Sequence, residues 1–182
     1  MPFTFSETKL GGVVVITAQQ FPDERGLFAE VFKASAFEEH GITETFSQFN
    51  LSKSKKGVLR GLHYQLEPQA QGKLVVPVSG RVFDVVVDLR KGSKTFKQWL
   101  SLTLSAAKQE MVYVPPGYAH GFLTLSEQAE VLYYCTDEYA LELERGIIWN
   151  DPELAIDWPI QSPQLSEKDT EYPSLAQAEY NF

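Results

Sequence analysis

The stretch Leu100-Ser101-Leu102-Thr103-Leu104-Ser105 decides the fold class, because apolar and polar residues alternate along it without a break. A period of two is the pattern of a strand with one buried face and one solvated face. Similar short runs occur at 13–17, 27–32, 46–51, 58–64, 73–78, 82–89, 111–114, 121–125, 131–136 and 146–149. Turn-forming pairs such as Ser79-Gly80 and Pro116-Gly117 separate them. Many short strands with no helix between them predict an all-β antiparallel sandwich or barrel.

Two parts of the chain depart from this strand pattern. A short early helix is predicted at 35–40, where Ser35 and Glu38 have capping-box spacing and Gly41 stands at the expected end. From Asp151 onward, prolines break any regular element. We expect one domain over 1–182, with a barrel core at about 21–150 and an irregular C-terminal flap at about 151–182. A short terminal helix is predicted near 176–180.

Composition limits the function classes. The 182 residues include 16 Lys+Arg against 24 Asp+Glu, a formal net charge of −8, and no basic block. This balance argues against general nucleic-acid binding. The longest uncharged stretch, 111–126, contains two prolines and two glycines, so no membrane span is expected. No targeting segment is visible, and the single Cys135 fits a reducing compartment, so a cytoplasmic location is expected.

Several strands carry polar residues that invite a chemical interpretation. His63 and His120 lie in otherwise apolar runs, and for each a structural imidazole and a functional one are equally good interpretations. Charges inside a barrel are costly unless paired. Arg60, Lys73 and Asp84 are therefore either mutually paired or line a cavity, and for Asp84 the anchoring of a neighbouring strand or loop is favoured.

Strand parity sets a condition on Arg60 and His63. Three positions apart, they face opposite sides of a regular strand. Both reach one cavity only if the strand is irregular, and Gly61 is the natural place. We predict an irregularity there.

A metal site is the alternative use of the two histidines. The pattern at 115–120, Pro-x-Gly-x-x-His, resembles the second half of the metal-binding cupin motif. The first half is incomplete, because Gln65 stands where the second histidine of His-x-His would be. Two histidines without a third ligand make a poor zinc or iron site. We expect no metal.

The order of several blocks resembles one family, the dTDP-4-dehydrorhamnose 3,5-epimerases of the cupin superfamily. Asp23-Glu24-Arg25-Gly26-Leu27-Phe28-Ala29-Glu30 is similar to its Asp-x-Arg-Gly-x-Phe-x-Glu segment. Further similar blocks follow at 48–52, 59–65, 73–90, 115–122, 144–152 and 165–169. The resemblance implies a cupin-type jelly-roll homodimer. It also implies a dTDP-4-keto-6-deoxy sugar substrate, inverted at C3 and C5 without a metal or cofactor.

The same resemblance assigns roles to residues of this chain. His63 would be the base, Asp169 would orient its imidazolium, Tyr133 would return a proton from the opposite face, and Lys73 would stabilise the enolate oxygen. The implied substrate-binding residues are Arg25, Glu30, Gln48, Asn50, Arg60, Lys73, His120, Tyr139, Glu144 and Lys168, with Tyr139 stacking on thymine.

Other interpretations stay open for some of these residues. If the strand register is shifted by one, Tyr134 exchanges roles with Tyr133. Asp169 could be an exposed carboxylate, and Glu144 could form a solvated pair with Arg145. Arg25 and Glu30 could serve the cavity of a neighbouring subunit.

Other activities are also compatible with these residues. A monofunctional 3- or 5-epimerase of a related dTDP-4-keto sugar shares the motifs. A metal-dependent cupin enzyme and a non-catalytic sugar-nucleotide binder are the remaining alternatives.

Overall fold

The computed structural model describes residues 2–182 and consists mainly of strands. The strands are β1 (Phe3–Glu7), β2 (Val14–Ala18), β3 (Phe21–Asp23), β4 (Gly26–Phe28), β5 (Gln48–Lys55), β6 (Leu59–Gln65), β7 (Lys73–Ser79), β8 (Arg81–Asp88), β9 (Trp99–Ser105), β10 (Glu110–Val114), β11 (Tyr118–Thr124), β12 (Gln128–Cys135) and β13 (Glu144–Gly146). The helices are α1 (Ala34–Glu38) and α2 (Glu167–Glu171), with a 3-10 turn at Ala106–Lys108.

Two antiparallel sheets face each other. One has six strands in the order β1-β2-β10-β7-β12-β5, and the other has five in the order β13-β6-β11-β8-β9. Strands β3 and β4 form a separate two-stranded hairpin. The all-β antiparallel prediction is confirmed.

The apolar core lies in three layers. The layer between the sheets includes Val75 and Val131 from one sheet and Val86 and Phe122 from the other. Helix α1 covers the outer face of the six-stranded sheet, where Phe37 is fully buried. The tail covers the outer face of the five-stranded sheet, because its buried Leu154, Trp158 and Leu175 pack against residues of β6, β8 and β11. The predicted flap therefore packs against the barrel.

Some predicted elements have different limits. β1 and β2 belong to the six-stranded sheet, so this sheet starts before residue 21, the expected start of the barrel core. In place of the strand expected at 27–32, the structure has the shorter β4 at Gly26–Phe28. In place of the strand expected at 146–149, it has β13 at Glu144–Gly146. Within residues 2–182, no helix is long and apolar enough to cross a membrane.

The two helices also differ from the prediction. Lys33, and not Ser35, precedes α1, and no side chain caps it. Gly41, just beyond its end, has a φ of +80°, as expected for a terminating glycine. The terminal helix near 176–180 is wrong: the tail's helix is α2, where the Ser166 side chain accepts a hydrogen bond from the Asp169 amide. A polar cap stabilises a helix start. At 175–177 the chain forms only a turn, in which the Gln177 and Ala178 amides donate to the Ser174 carbonyl.

Candidate active site

A cavity of about 380 Å³ is lined by side chains from both sheets. The lining residues are Gln48, Asn50, Arg60, His63, Tyr64, Gln65, Gln71, Lys73, Val75, His120, Phe122, Tyr133, Tyr139 and Glu144. A cavity between two sheets whose lining combines apolar surface with convergent polar side chains is typical of a binding or catalytic site.

The five-stranded sheet supplies two histidines in one row. His63 on β6 pairs with His120 on β11, and on its other side with Gly146 on β13. Directly opposed residues of paired strands present their side chains to the same face. Both imidazoles therefore reach the cavity.

His63 is hydrogen-bonded to a carboxylate from the tail. Its Nε2 lies 2.6 Å from Asp169 Oδ1, and the Ser166 hydroxyl donates to Asp169 Oδ2 at 2.7 Å. Burial favours the neutral acid, but the hydrogen bonds from His63 and Ser166 outweigh it and keep the pKa of Asp169 below its usual value. Asp169 is only 3% exposed, so the exposed-carboxylate interpretation is wrong.

His120 has a carboxylate partner of its own. Its Nε2 lies 2.7 Å from Asp84 Oδ2, and Asp84 is fully buried. Asp84 therefore anchors β8 to the neighbouring β11, as favoured from the sequence. Mutual pairing with Arg60 or Lys73 is wrong, because the Asp84 carboxylate contacts His120 instead.

The irregularity predicted at Gly61 is confirmed. The pairing of β6 with β11 shifts register between His120 and Phe122, opposite this glycine. Gly61 has a φ of +127°, and a Cβ there would lie 2.5 Å from Gly121 Cα. The shift lets Arg60 line the same cavity as His63, and Arg60 Nε donates to Ser54 Oγ at 3.0 Å.

The six-stranded sheet forms the facing wall. Tyr133 on β12 pairs with Val75 on one side and Asn50 on the other. Two residues further along β12, Cys135 pairs with Lys73 on β7 and with Gln48 on β5. Because side chains two residues apart share a face, these strands present a contiguous group of polar side chains to the cavity.

Tyr134 points away from this wall. It packs with Phe46 and Phe49 on the outer side of the six-stranded sheet, whereas Tyr133 packs against the layer between the sheets. The exchange of the two tyrosines is therefore excluded.

Burial shifts the pKa values of Lys73 and Tyr133, the two titratable groups of this wall, in opposite directions. It lowers the pKa of the Lys73 ammonium, and the nearby Cys135 and Glu144 oppose part of that change. It raises the pKa of Tyr133, with Cys135 adding to the effect and Arg60 opposing it. Tyr133 is therefore a protonated phenol at neutral pH, which makes it a potential proton donor.

A chain of hydrogen bonds closes the rim. Gln48 donates to Asn50 Oδ1 at 3.0 Å and accepts from the Tyr139 amide at 2.7 Å. The Tyr139 hydroxyl donates to Glu144 Oε2 at 2.6 Å, which raises the pKa of that hydroxyl to about 12. Lys168 pairs with the same Glu144 oxygen.

Lys168 does not line the cavity, but this ion pair places it beside the rim. The solvated pair of Glu144 with Arg145 is wrong, because Arg145 pairs with Glu179 at 2.8 Å.

Arg25 and Glu30 lie outside the cavity of their own chain. Arg25 is on the β3–β4 hairpin, with its side chain 86% exposed and paired with Asp23 at 2.6 Å. Glu30 follows the hairpin, and neither residue lines the cavity. Neither residue therefore contributes to the cavity of its own chain, and the neighbouring-subunit interpretation stays open.

Sequence reasoning missed several residues of the site. Tyr64, Gln65 and Gln71 line the cavity, while Ser54 and Ser166 hold its charged residues. Two of them carried a signal: Gln65 stands at the second ligand position of the cupin motif, and Ser166-Glu167-Lys168-Asp169 has the spacing of a helix start.

The residues at 2–182 do not form a metal-ligand cluster. No group of three or more His, Cys, Asp or Glu side chains in that range is placed to hold a metal ion. The two cavity histidines are instead each paired with a carboxylate.

Fold and cavity together define a jelly-roll barrel protein with an acid–base site between its sheets. The family profile described as dTDP-4-dehydrorhamnose 3,5-epimerase matches residues 7–177. A dTDP-4-dehydrorhamnose 3,5-epimerase of Pseudomonas aeruginosa is 53% identical over 169 residues, covering 92% of this chain and 93% of the relative. The chain belongs to the dTDP-4-dehydrorhamnose 3,5-epimerase family.

Solved structures agree with this assignment. The dTDP-6-deoxy-D-glucose-3,5-epimerase of Legionella pneumophila, in complex with dTDP-4-keto-L-rhamnose, matches with a TM-score of 0.92 and 47% identity, covering 96% of this chain and 94% of that one. A 3'-monoepimerase of Streptomyces bikiniensis, in complex with dTDP-quinovose, matches with a TM-score of 0.87 and 34% identity, covering 93% and 86%.

Proposed function

We propose that this protein converts dTDP-4-dehydro-6-deoxy-D-glucose to dTDP-4-dehydro-L-rhamnose by inverting C3 and C5. The observation that carries the proposal is one cavity that joins a His63–Asp169 pair on one wall with Lys73 and Tyr133 on the other. Both carbons flank the C4 ketone, so each C–H bond is acidic enough to break with a positioned base.

His63 removes the proton. Its imidazole takes the proton from the carbon and becomes an imidazolium, whose charge lies 2.6 Å from the Asp169 carboxylate oxygen. Because that charge exists only after proton removal begins, the contact stabilises the transition state more than the ground state.

Lys73 stabilises the enolate. The electron pair of the broken C–H bond moves to the C4 oxygen, where an ammonium group offsets the developing charge. Among residues 2–182, Lys73 forms no ion pair, so its charge is free for the substrate oxygen.

Tyr133 completes the inversion from the opposite wall. Its phenol gives a proton to the other face of the enolate carbon, and the tyrosinate regains a proton from solvent as His63 loses one. The proton count balances over the cycle. Inversion requires an acid and a base on opposite faces, and the two residues come from different sheets.

The remaining cavity residues bind the nucleotide sugar. Arg60, with Lys168 at the rim, supplies positive charge for the diphosphate, and a guanidinium suits bidentate phosphate contact. His120 contacts the diphosphate or the sugar hydroxyls. Gln48, Asn50 and Glu144 supply hydrogen bonds for hydroxyls and for the base edge. Tyr139 is half-exposed at the rim, where it can stack on thymine.

The functional unit is a cytoplasmic homodimer in which Arg25 and Glu30 complete the partner's cavity. The hairpin exposes Phe21, Leu27 and Phe28, and the edge strand β5 exposes Phe49 and Leu51. Exposed apolar groups of this size, beside an unpaired strand edge, mark an interface.

Mixed dimers test this arrangement. Arg25→Ala and His63→Ala subunits, each nearly inactive alone, should recover about a quarter of wild-type activity after mixing and subunit exchange, because half of the dimers hold one intact site. No recovery, with exchange verified by differently tagged subunits, would place Arg25 in its own chain's site or outside the site.

A solvent-exchange experiment tests the reaction. Turnover of the 4-keto sugar nucleotide in D2O should place deuterium at both C3 and C5. Deuterium at C3 alone would identify a monofunctional 3-epimerase, the candidate that the similarity to the Streptomyces bikiniensis enzyme favours. Deuterium at neither position would overturn catalysis. A protein that binds dTDP and loses no function in the His63→Ala variant would be a non-catalytic binder.

Elemental analysis separates the metal-dependent alternative. Active protein should contain substoichiometric iron, nickel and zinc. A stoichiometric metal whose removal abolishes activity would support a metal-dependent cupin enzyme instead.

A further inference from the structure

The ring of Tyr172, in the tail, lies against His63. Their ring centroids are 5.5 Å apart, with the planes at 64°. Gly146 is the strand partner of His63 on β13, and its lack of a side chain leaves space for the Tyr172 ring. A Cβ at this position would lie 2.5 Å from Tyr172 Cζ and 2.6 Å from Cδ1 and Cδ2. The Tyr172 ring therefore lies over the Gly146 backbone, beside the imidazole.

One short segment holds His63 by two contacts. Asp169 lies in α2, and Tyr172 is the residue that ends this helix. Asp169 bonds the imidazole Nε2, while the Tyr172 ring packs against the imidazole ring. A hydrogen bond alone leaves the imidazole free to tilt about the bond, and the second contact restricts that tilt.

The hydroxyl of Tyr172 is not what holds the ring. The Oη atom is buried and has no hydrogen-bond partner among residues 2–182. Burial raises the pKa of this phenol, and the nearby Glu144 and Asp169 raise it further, so it does not exchange protons near neutral pH. What remains is the shape of the ring in the space that Gly146 leaves.

We propose that Tyr172 is a positioning residue that fixes the orientation of the His63 imidazole for proton removal, through the ring and not the hydroxyl. The inference rests on the proposed function, because it assigns His63 the role of base. A misplaced catalytic group costs up to about 100-fold in rate, so the effect is measurable.

Three substitutions test the role of the ring. Tyr172→Phe keeps the ring and should retain kcat within about twofold. Tyr172→Leu should lower kcat about 10- to 100-fold with little change in KM. Gly146→Ala should reproduce the Tyr172→Leu effect by pushing the ring away, and it should add little once Tyr172 is already leucine.

Tyr180→Leu is the matched control. It removes a ring of the same tail that packs on Phe96, 5.9 Å between centroids, and not on His63. Its kcat should stay within about twofold of wild type, which separates loss of a tail aromatic from loss of this contact.

Proton NMR of the His63 Cε1–H resonance gives a readout that does not depend on activity. Removing a ring 5.5 Å away should change the ring-current shift of this resonance in Tyr172→Leu and not in Tyr180→Leu. A moved resonance with an unchanged kcat overturns the positioning role, and an unmoved resonance overturns the contact. Failure of the proposed function shows differently, as the absence of deuterium uptake at C3 and C5 by the wild-type protein.

Discussion

Replacing Asp169 by asparagine should separate the chemical step from substrate binding. The change keeps the shape of the side chain but removes the charge opposite the His63 imidazolium. For charge centres about 4 Å apart, an effective dielectric constant near 20 gives about 4 kcal/mol. Asparagine retains part of this as a neutral hydrogen bond, so we expect a loss of about 2–3 kcal/mol. That corresponds to about 30- to 200-fold in kcat.

The second His–Asp pair of the cavity provides the comparison. Asp84→Asn also removes a carboxylate charge, here 2.7 Å from the imidazole of His120, which binds substrate in the proposed mechanism. It should therefore raise KM more than it lowers kcat, because no new charge forms on His120 during the reaction.

Steady-state kinetics and single-turnover deuterium uptake at C3 and C5 measure both variants, with circular dichroism to verify folding. Two outcomes would refute the reasoning: a kcat for Asp169→Asn within fivefold of wild type, or the same kcat loss from both variants. Either one would mean that the charge beside His63 does not stabilise the transition state.

Three further predictions concern the barrel. Burial lowers the pKa of Lys73 from its ordinary 10.5. The value of kcat/KM should therefore decline at alkaline pH with a midpoint below pH 10.5. A pH profile that stays flat up to pH 10.5 would contradict the role of the Lys73 charge. Gly61→Ala should lower the free energy of unfolding by about 2 kcal/mol or more, measured in urea, because its Cβ meets backbone and its φ is positive; wild-type stability with full activity would be the opposing result. In the folded protein, hydrogen bonds from Arg90 and neighbouring hydroxyls outweigh burial and lower the pKa of Asp88 from 3.8 to about 2. This depressed pKa stabilises the fold by about 2 kcal/mol above about pH 4, and the contribution is lost as the pH falls toward 2. Asp88→Asn should therefore flatten the acid side of a plot of unfolding free energy against pH. An unchanged plot would contradict this prediction.

The strands of the barrel were predictable from short alternating or continuous apolar runs bounded by turn residues, although β11 is buried along its whole length. The alternation at 100–105 lies within β9, and most other runs correspond to strands within a few residues. β1 shows the same alternation in Phe3-Thr4-Phe5-Ser6-Glu7 but was not predicted. The segment at 27–32 belongs to neither of the two main sheets, since its strand β4 pairs only with β3 in a separate hairpin.

Parity arguments predicted local geometry well. Two residues three positions apart could share a cavity only if the strand lost its regular register, and the register does shift opposite Gly61. Period-two alternation also places Tyr133 and Tyr134 on opposite faces, but only the structure shows that Tyr133 is the one that faces the cavity.

Contacts between distant segments were beyond this reasoning. The partner of Asp84 is His120 and not Arg60 or Lys73, and that choice depends on the register between β8 and β11. The hairpin residue Arg25 likewise has the right motif but lies away from the cavity, because the motif says nothing about where the hairpin points.

The His63–Asp169 pair joins two segments 106 residues apart, and this separation has a mechanical consequence. His63 is on a barrel strand, whereas Asp169 and Tyr172 belong to the tail, which is held on the barrel by buried apolar side chains such as Leu154 and Leu175. Lys73 and Tyr133 sit on central strands of the six-stranded sheet and do not depend on the tail. Loosening of the tail should therefore impair proton removal while the enolate-stabilising wall stays intact. In the proposed mechanism, the base is therefore assembled by the packing of the C-terminal segment against the barrel.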